Sequence, residues 1–189
     1  IEPAYKYSWK RQNWFDYSAA EHKAVREKVG MFDISSFGKI KIVGKDAEAV
    51  LQIIAANDVA VAPGKIVYTQ FLNEAGHIEA DVTITRLSSD EFLIVTPAAT
   101  IRRDLHWING HIPDGAHAMA IDVTASESVL VVMGPEARDF LQPLIPQSLA
   151  NDDFAFGTMQ DIEIGYGVAR AHRVTLSLIH ISEPTRPLI

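Results

Sequence analysis

Residues 65–87 alternate between apolar and polar side chains in two runs, KIVYTQFL and HIEADVTITRL, which are separated by the turn sequence NEAG. A period of two residues is that of a β-strand, and a short Asn- and Gly-containing separator is typical of a hairpin. The pattern therefore predicts an antiparallel hairpin with one apolar and one polar face. In the second run the apolar face holds Ile78, Ala80, Val82 and Ile84, and the polar face holds His77, Glu79, Asp81, Thr83 and Thr85.

The four-residue turn also predicts the pairing of the two strands. Counting outward from it gives Leu72 opposite His77, Phe71 opposite Ile78, Thr69 opposite Ala80 and Tyr68 opposite Asp81. Opposed Cβ atoms lie about 5 Å apart, so a phenol, the Gln70 amide and two carboxylates would share a small area. Such a group can carry acid–base chemistry. A solvent-facing sheet surface has the same composition and is the commoner case, so the pattern locates a candidate site without naming its chemistry.

The rest of the chain alternates helical and strand-like segments. Helical periodicity predicts helices in residues 17–30, 45–58, 98–110 and 135–145, with Pro135 in a favoured first-turn position. Period-two alternation predicts strands in residues 38–44, 91–96, 116–124, 127–134 and 160–175. Adjacent strands with intervening helices indicate an α+β fold with largely antiparallel sheets and packed helices.

Composition excludes several classes of function. The 189 residues carry a formal charge of -7, which argues against a nucleic-acid partner. The chain has no cysteine, so disulfides and thiolate metal sites are ruled out. No apolar run reaches the ~20 residues of a membrane span, and the start does not resemble a signal peptide. Because residue 1 is Ile rather than Met, we expect an N-terminus cut from a longer chain.

The remaining motifs give weaker evidence of function than the hairpin does. The spacing of His106, His111 and His117 does not fit a metal site, and we predict no metal. GYGVA lacks the spacing of a dinucleotide-binding loop. Four basic residues could meet an anionic ligand tail, although isolated surface charges are the ordinary interpretation. These are Lys39, Lys41, Arg102 and Arg103.

Two long segments carry a resemblance to a known family. They are RQNWFDYSAAEHKAVREKVGMFDISSFGKIKIVGKDAEAVLQ and GKIVYTQFLNEAGHIEADVTITRLSSDEFLIVT. Together with VLVVMGPEARDFLQ they resemble the folate-binding, aminomethyltransferase-type domain, over residues 5–175. Its members include the glycine-cleavage T-protein and the C-terminal half of dimethylglycine and sarcosine dehydrogenases. SWKRQNWFDY and IEAD look more like the dehydrogenase branch.

The resemblance implies a site and a reaction. The family binds tetrahydrofolate in a central cavity and moves a one-carbon unit onto it, giving 5,10-methylenetetrahydrofolate. Its key carboxylate corresponds to Asp81, which would take or stabilise the proton lost by the attacking folate nitrogen. The pocket residues it implies, with the neighbouring carboxylate Glu79, are Tyr68, Met31, Thr96, Pro97 and Ala98.

The resemblance also implies a partner domain. In the dehydrogenase branch an N-terminal FAD domain oxidises the N-methyl amine, and the folate domain captures the carbon. FAD is therefore expected in the parent protein, which would be cytoplasmic in a bacterium and in the mitochondrial matrix of a eukaryote. Two alternatives stay open: a free aminomethyltransferase supplied by a lipoyl-bearing partner, and a non-catalytic folate-binding protein of iron–sulfur cluster maturation.

The last fourteen residues, LSLIHISEPTRPLI, do not fit the family. At this point the family continues into a Tyr-x-Gly-Glu-type turn whose glutamate meets the pterin ring. The eleven residues LSLIHISEPTR instead resemble a translated sequencing-library adapter, although a terminal strand over residues 176–181 is also compatible with their β propensity. We expect residues 1–175 to be a partial folate domain, residues 176–189 to be foreign, and the isolated chain to bind folate poorly.

Overall fold

The computed structural model describes residues 4–175 and has four α-helices and nine β-strands in that range. The helices are α1 (Phe15–Glu27), α2 (Ala47–Ile54), α3 (Ile101–Gly110) and α4 (Ala137–Leu141). The strands are β1 (Gly30–Asp33), β2 (Gly38–Val43), β3 (Ile66–Leu72), β4 (Ile78–Arg86), β5 (Glu91–Thr96), β6 (Met119–Asp122), β7 (Leu130–Met133), β8 (Thr158–Ile164) and β9 (Gly167–Arg173). The α+β prediction is confirmed. The predicted foreign tail and its alternative terminal strand lie outside the described residues.

The largest layer is a five-stranded sheet in the order β3-β4-β5-β2-β6, with every neighbouring pair antiparallel. One face packs against α2 and α3, because α2 buries Ala47, Val50, Leu51 and Ile54 at helical spacing. Each fully buried large apolar side chain contributes about 1.5–3 kcal/mol. The sheet residues of this core are Ile40, Ile42, Phe71, Ala80, Val82, Ile84, Phe92 and Ile94.

A second core lies under the two small sheets β1-β7 and β8-β9. It joins Val132, Leu141, Phe154, Ile162 and Ala171 from separate parts of the chain. The β8-β9 hairpin meets the large sheet in two ways. A backbone bridge joins Lys65 to Thr158.

The second junction is a chain of charges. Arg170 Nη1 of β9 lies 3.2 Å from Glu127, whose carboxylate is 3.7 Å from Lys41 Nζ of β2. Lys41 also pairs with Glu91 at 2.9 Å. These side chains are partly buried, so the network is less screened than exposed pairs are and helps to hold the hairpin on the sheet.

The predicted hairpin register is wrong by two residues. In the structure Tyr68 lies opposite Thr83, and Gln70 lies opposite Asp81. The register shifts between Phe71 and Leu72, where β4 carries an extra residue at Glu79. A bulge of this kind cannot be counted from turn length.

The remaining pairs divide this error into two parts: the pair next to the turn is off by one residue, because the turn takes in His77, and the bulge adds the second residue. Leu72 is opposite Ile78, Phe71 is opposite Ala80 and Thr69 is opposite Val82. Ile78 was predicted on the apolar face but is 66% exposed, because it precedes the bulge. The residues after the bulge keep their predicted faces, since a shift of two preserves the alternation.

The interpretation of two lysines as isolated surface charges is also wrong, because Lys39 is buried and Lys41 is partly buried and ion-paired. Lys39 is 1% exposed, and its Nζ donates a hydrogen bond to the Ser35 carbonyl at 2.8 Å. Burial lowers the pKa of Lys39, while the charges of Glu127, Asp122 and Asp33 act in the opposite direction. This ammonium therefore ties the segment after β1 to β2.

Among the described residues no helix is long and apolar enough to cross a bilayer.

Gly44 provides a test of the tight turn between β2 and α2. Its φ is +130°, and a Cβ there would lie 2.0 Å from the His117 carbonyl oxygen. We expect Gly44→Ala to lower the free energy of unfolding by roughly 3 kcal/mol or more, from backbone strain plus overlap. Gly115 is the matched control, since its φ is +82° and nothing lies within 4 Å. Gly115→Ala should cost only about 1–2 kcal/mol. Equal losses in urea denaturation would contradict the packing argument.

His172 predicts a pH dependence of stability. Burial, followed by the charge of Arg170, lowers its pKa from 6.5 to about 4. Between about pH 4 and pH 6.5 the unfolded state therefore binds a proton at His172 that the folded state does not. Stability is full above pH 6.5 and falls by up to about 3 kcal/mol as the pH drops to about 4. Denaturation of His172→Gln should show a shallower loss over this window, whereas the exposed-turn variant His77→Gln should keep the wild-type slope.

Candidate functional site

The candidate site lies on the sheet face opposite α2 and α3. Directly opposed residues on this face form a row across four strands, in the order Tyr68, Thr83, Val95 and Lys39. Further along the same face Thr85 and Leu93 are 1% and 2% exposed, whereas Tyr68 is 39% exposed and Asp81 is exposed. The face is therefore covered at one end and open at the end nearest the NEAG turn.

Three polar side chains converge at the open end. Gln70 Nε2 donates to Asp81 Oδ1 at 3.0 Å, directly across the two strands. The Tyr68 phenol hydrogen-bonds to the same carboxylate from the next position on its face of β3. The register correction thus keeps the predicted pair together but makes it diagonal, with Gln70 as the directly opposed partner.

The pKa of Tyr68 records this contact. The hydrogen bond to Asp81 raises it, partial burial and the carboxylate charge raise it further, and a hydrogen bond from Gln70 opposes them. Tyr68 is consequently a neutral donor across the physiological range. It orients the carboxylate without competing for its negative charge.

The other predicted site residues lie outside this group of hydrogen-bonded side chains. Glu79 faces the turn, where its Oε1 accepts a hydrogen bond from Asn73 Nδ2 at 2.7 Å. Thr96 is buried on the helix side of the sheet and donates its hydroxyl hydrogen to Asp104. Thr96 therefore faces away from the open surface.

Met31, Pro97 and Ala98 are all exposed. Pro97 and Ala98 follow the last residue of β5, at the sheet end where Asp81 lies. Met31 is 66% exposed but belongs to the separate β1-β7 sheet. Within residues 4–175, no three His, Asp or Glu side chains are grouped to hold a metal ion.

Sequence reasoning missed two features of the site. Thr83 was placed on the polar face but not recognised as the residue opposite Tyr68, because the register was miscounted. Arg103 was treated as a surface charge, yet its guanidinium hydrogen-bonds to the Glu79 carbonyl at the bulge. No local pattern signals that contact, which joins residues 24 positions apart.

Comparison with known proteins gives a consistent family. Residues 2–177 match the GCVT N-terminal domain. The chain is 41% identical over 173 residues to 4-methylaminobutanoate oxidase (formaldehyde-forming) of Paenarthrobacter nicotinovorans, covering 92% of the chain and 21% of that protein. It is 35% identical over 153 residues to mouse mitochondrial dimethylglycine dehydrogenase, covering 80% and 18%. It is also 34% identical over 176 residues to the mouse mitochondrial pyruvate dehydrogenase phosphatase regulatory subunit, covering 92% and 20%.

Solved structures share the fold. The glycine cleavage system aminomethyltransferase T from Bartonella henselae superposes with a TM-score of 0.72 at 22% identity, covering 89% of this chain and 43% of that one. A chain of the heterotetrameric sarcosine oxidase from Corynebacterium sp. U-96 gives 0.64 at 17% identity, covering 96% and 87%. The present chain spans about a fifth of the length of its sequence relatives.

The contact between Tyr68 and Asp81 can be tested by titration. We expect Asp81→Asn to lower the pKa of Tyr68 toward its ordinary value near 10, because the charge and the charge-assisted hydrogen bond are lost. Chemical shifts of ¹³Cζ-labelled tyrosine report each phenol separately. The fully exposed Tyr166 is an internal control and Asp114→Asn, at an exposed loop position, is the matched variant. An unchanged Tyr68 titration in Asp81→Asn would show that the two groups do not interact.

Proposed function

Because the chain belongs to the GCVT N-terminal domain family, we propose that it is the tetrahydrofolate-binding part of a dimethylglycine or sarcosine dehydrogenase-like enzyme. In this proposal the parent protein oxidises an N-methyl amine and the domain directs the released one-carbon unit to tetrahydrofolate. The observation that carries it is the convergence of Tyr68, Gln70 and Asp81 on the open face of the sheet.

The residues present suit a reduced pterin. Such a ring offers N–H donors and a flat apolar surface. Asp81 Oδ1 accepts from Gln70, and the remaining acceptor capacity of the carboxylate is available for a ligand N–H. The Tyr68 ring is partly exposed beside it and offers a face for stacking. When bound, tetrahydrofolate supplies the amine nitrogens that accept a one-carbon unit.

Each residue then has a distinct task. Asp81 holds or accepts the proton that an attacking amine nitrogen gives up, as a carboxylate within hydrogen-bond reach can do. Tyr68 stays protonated and orients that carboxylate by a hydrogen bond. The Gln70 amide fixes the carboxylate from the facing strand. Pro97, Ala98 and Met31 are exposed residues that we assign to the pocket walls.

The remaining parts of the proposal concern the parent chain. Relatives that are about five times longer leave room for an oxidase domain, which we infer to carry FAD. Residues 176–189 we infer to be foreign sequence, in keeping with a family match that ends at residue 177. Two relatives are named for acting on N-methylated amino acids, which supports an N-methyl amine as carbon source.

A second candidate is a regulatory domain without transfer activity. It is favoured by the 34% identity to a protein named as a phosphatase regulatory subunit. A regulatory domain could bind folate, or no folate at all, without using Asp81 as an acid–base group. Whether the one-carbon unit is transferred to tetrahydrofolate distinguishes the two candidates.

The test uses the intact parent protein with an N-methyl amine, in the presence and absence of tetrahydrofolate. We expect Asp81→Asn to leave amine oxidation within about twofold of wild type. The share of carbon recovered on folate should fall roughly 10²-fold or more, the usual scale for loss of an acid–base group, and free formaldehyde should rise to match. Folate-bound carbon is measured by mass spectrometry and formaldehyde by trapping.

Asp114→Asn is the matched control, since it removes the same charge from an exposed loop. It should partition the carbon as wild type does. Transfer unaffected by Asp81→Asn would remove Asp81 from the mechanism. A wild-type protein that neither binds tetrahydrofolate nor passes carbon to it would favour the regulatory candidate instead.

A further inference from the structure

We propose that Arg103 is a positioning residue for Asp81, acting by fixing the β-bulge at Glu79. The relevance of this role to carbon transfer rests on the proposed function. The positioning itself concerns only contacts within this chain and can be tested without folate.

The guanidinium of Arg103 connects the start of α3 to the bulge. Its Nη2 donates a hydrogen bond to the Glu79 carbonyl oxygen on β4. The same group contacts Asp104 Oδ1 through Nε at 3.2 Å and Nη2 at 3.1 Å. One side chain therefore binds both its own helix and the backbone two residues before Asp81.

Asp104 anchors that guanidinium at a fixed position. It is 1% exposed, and its Oδ2 accepts hydrogen bonds from the hydroxyls of Thr96 and Thr100. A buried carboxylate with several donors has little freedom to move. Arg103 is held on one side by the core and contacts the bulge with the other.

The bulge is also held from the turn. Asn73 donates to the Glu79 side chain at 2.7 Å, and its own Oδ1 accepts the amide hydrogens of Ala75 and His77 at 3.0 Å. A bulge leaves one residue outside the regular ladder, where its backbone groups need other partners. Asn73 thus secures the Glu79 carboxylate and Arg103 secures its carbonyl.

The position of Asp81 depends on this arrangement. With Leu72 paired to Ile78, a ladder without the extra residue would put Asp81 opposite Thr69, on the core side of the sheet. The bulge creates the observed pairing, in which Asp81 receives the Gln70 amide directly and the Tyr68 phenol from the diagonal. Bulges commonly re-aim side chains beside functional sites.

Arg103 is suited to mutation because its side chain is 58% exposed. Removing it opens no cavity and leaves Asp104 with its two threonine donors. We expect Arg103→Ala to stay folded and to loosen the bulge. Asp81 would then lose its fixed contact with Tyr68.

The experiment is the tyrosine ¹³Cζ titration of the full 189-residue chain. The variants are Arg103→Ala, Arg103→Lys and Arg102→Ala, with Asp81→Asn as the reference for complete loss of the contact. We expect Arg103→Ala to lower the pKa of Tyr68 by at least half of the shift seen in Asp81→Asn. Arg103→Lys, which keeps the charge and a donor group but not the forked geometry, should recover part of it. Arg102→Ala should match wild type.

The direction of the Tyr68 pKa shift distinguishes displacement of the Asp81 carboxylate from simple loss of the Arg103 charge. Loss of a nearby cation alone would raise the pKa of a phenol, so only displacement of the carboxylate lowers it. A folded Arg103→Ala protein with an unchanged or raised Tyr68 pKa would overturn the proposal. If that variant does not fold, Arg103→Gln is judged by the same criterion. A null result here leaves Asp81 chemistry intact, whereas failed transfer in the parent protein leaves the positioning intact.

Discussion

The packing of one sheet face against α2 and α3 is the constraint on which the other features depend. A strand exposes alternate residues to opposite sides, so committing Ile40, Ile94 and Val82 to the core commits their neighbours to the other face. That second face carries Tyr68 and Asp81 as a direct consequence. The polar cluster is therefore fixed in position by the apolar core behind it, and a rigid sheet is a better support than a loop for such a group.

The bulge at Glu79 adds the one adjustment that the alternation cannot supply. Alternation determines the face on which a residue lies, but not which residue lies across from it. The extra residue moves Asp81 from the position opposite Thr69, on the core side, to the position opposite Gln70 on the open face. The carboxylate consequently meets two donors at different distances along the facing strand.

Most of the fold could be predicted from the sequence because local periodicity and the core agree. The run GKIKIVG predicts β2, and the stripe of Ile101, Leu105 and Ile108 predicts the inner side of α3. The register failed because the turn takes in His77 and β4 carries an extra residue at Glu79, and the alternation of side chains signals neither. Lys39 was misjudged for a similar reason, since its backbone N–H donates to the Thr124 hydroxyl, a contact with a residue 85 positions along the chain.

The candidate site likewise combines features that the sequence predicted with contacts that it did not. The hairpin pattern placed Tyr68, Gln70 and Asp81 on one surface, and the resemblance singled out two of them. Thr96, which the resemblance also implied, faces the core in the structure and binds Asp104. If Arg103 positions Asp81 as proposed, Thr96 acts on the open face only indirectly, through its hydrogen bond to the Asp104 carboxylate that Arg103 also contacts.

The exposure of Asp81 has a consequence for the proposed chemistry. A carboxylate surrounded by water interacts weakly with a developing charge, because solvent screens it. Hydrogen bonds from Tyr68 and Gln70 fix its direction but do not remove that water. In the proposed function the ligand itself must cover the open end of the face, and a flat ring lying on the Tyr68 side does so while bringing its nitrogens to the carboxylate. Binding and activation of Asp81 would then be the same event, which explains why an open, two-sided sheet suffices as the scaffold.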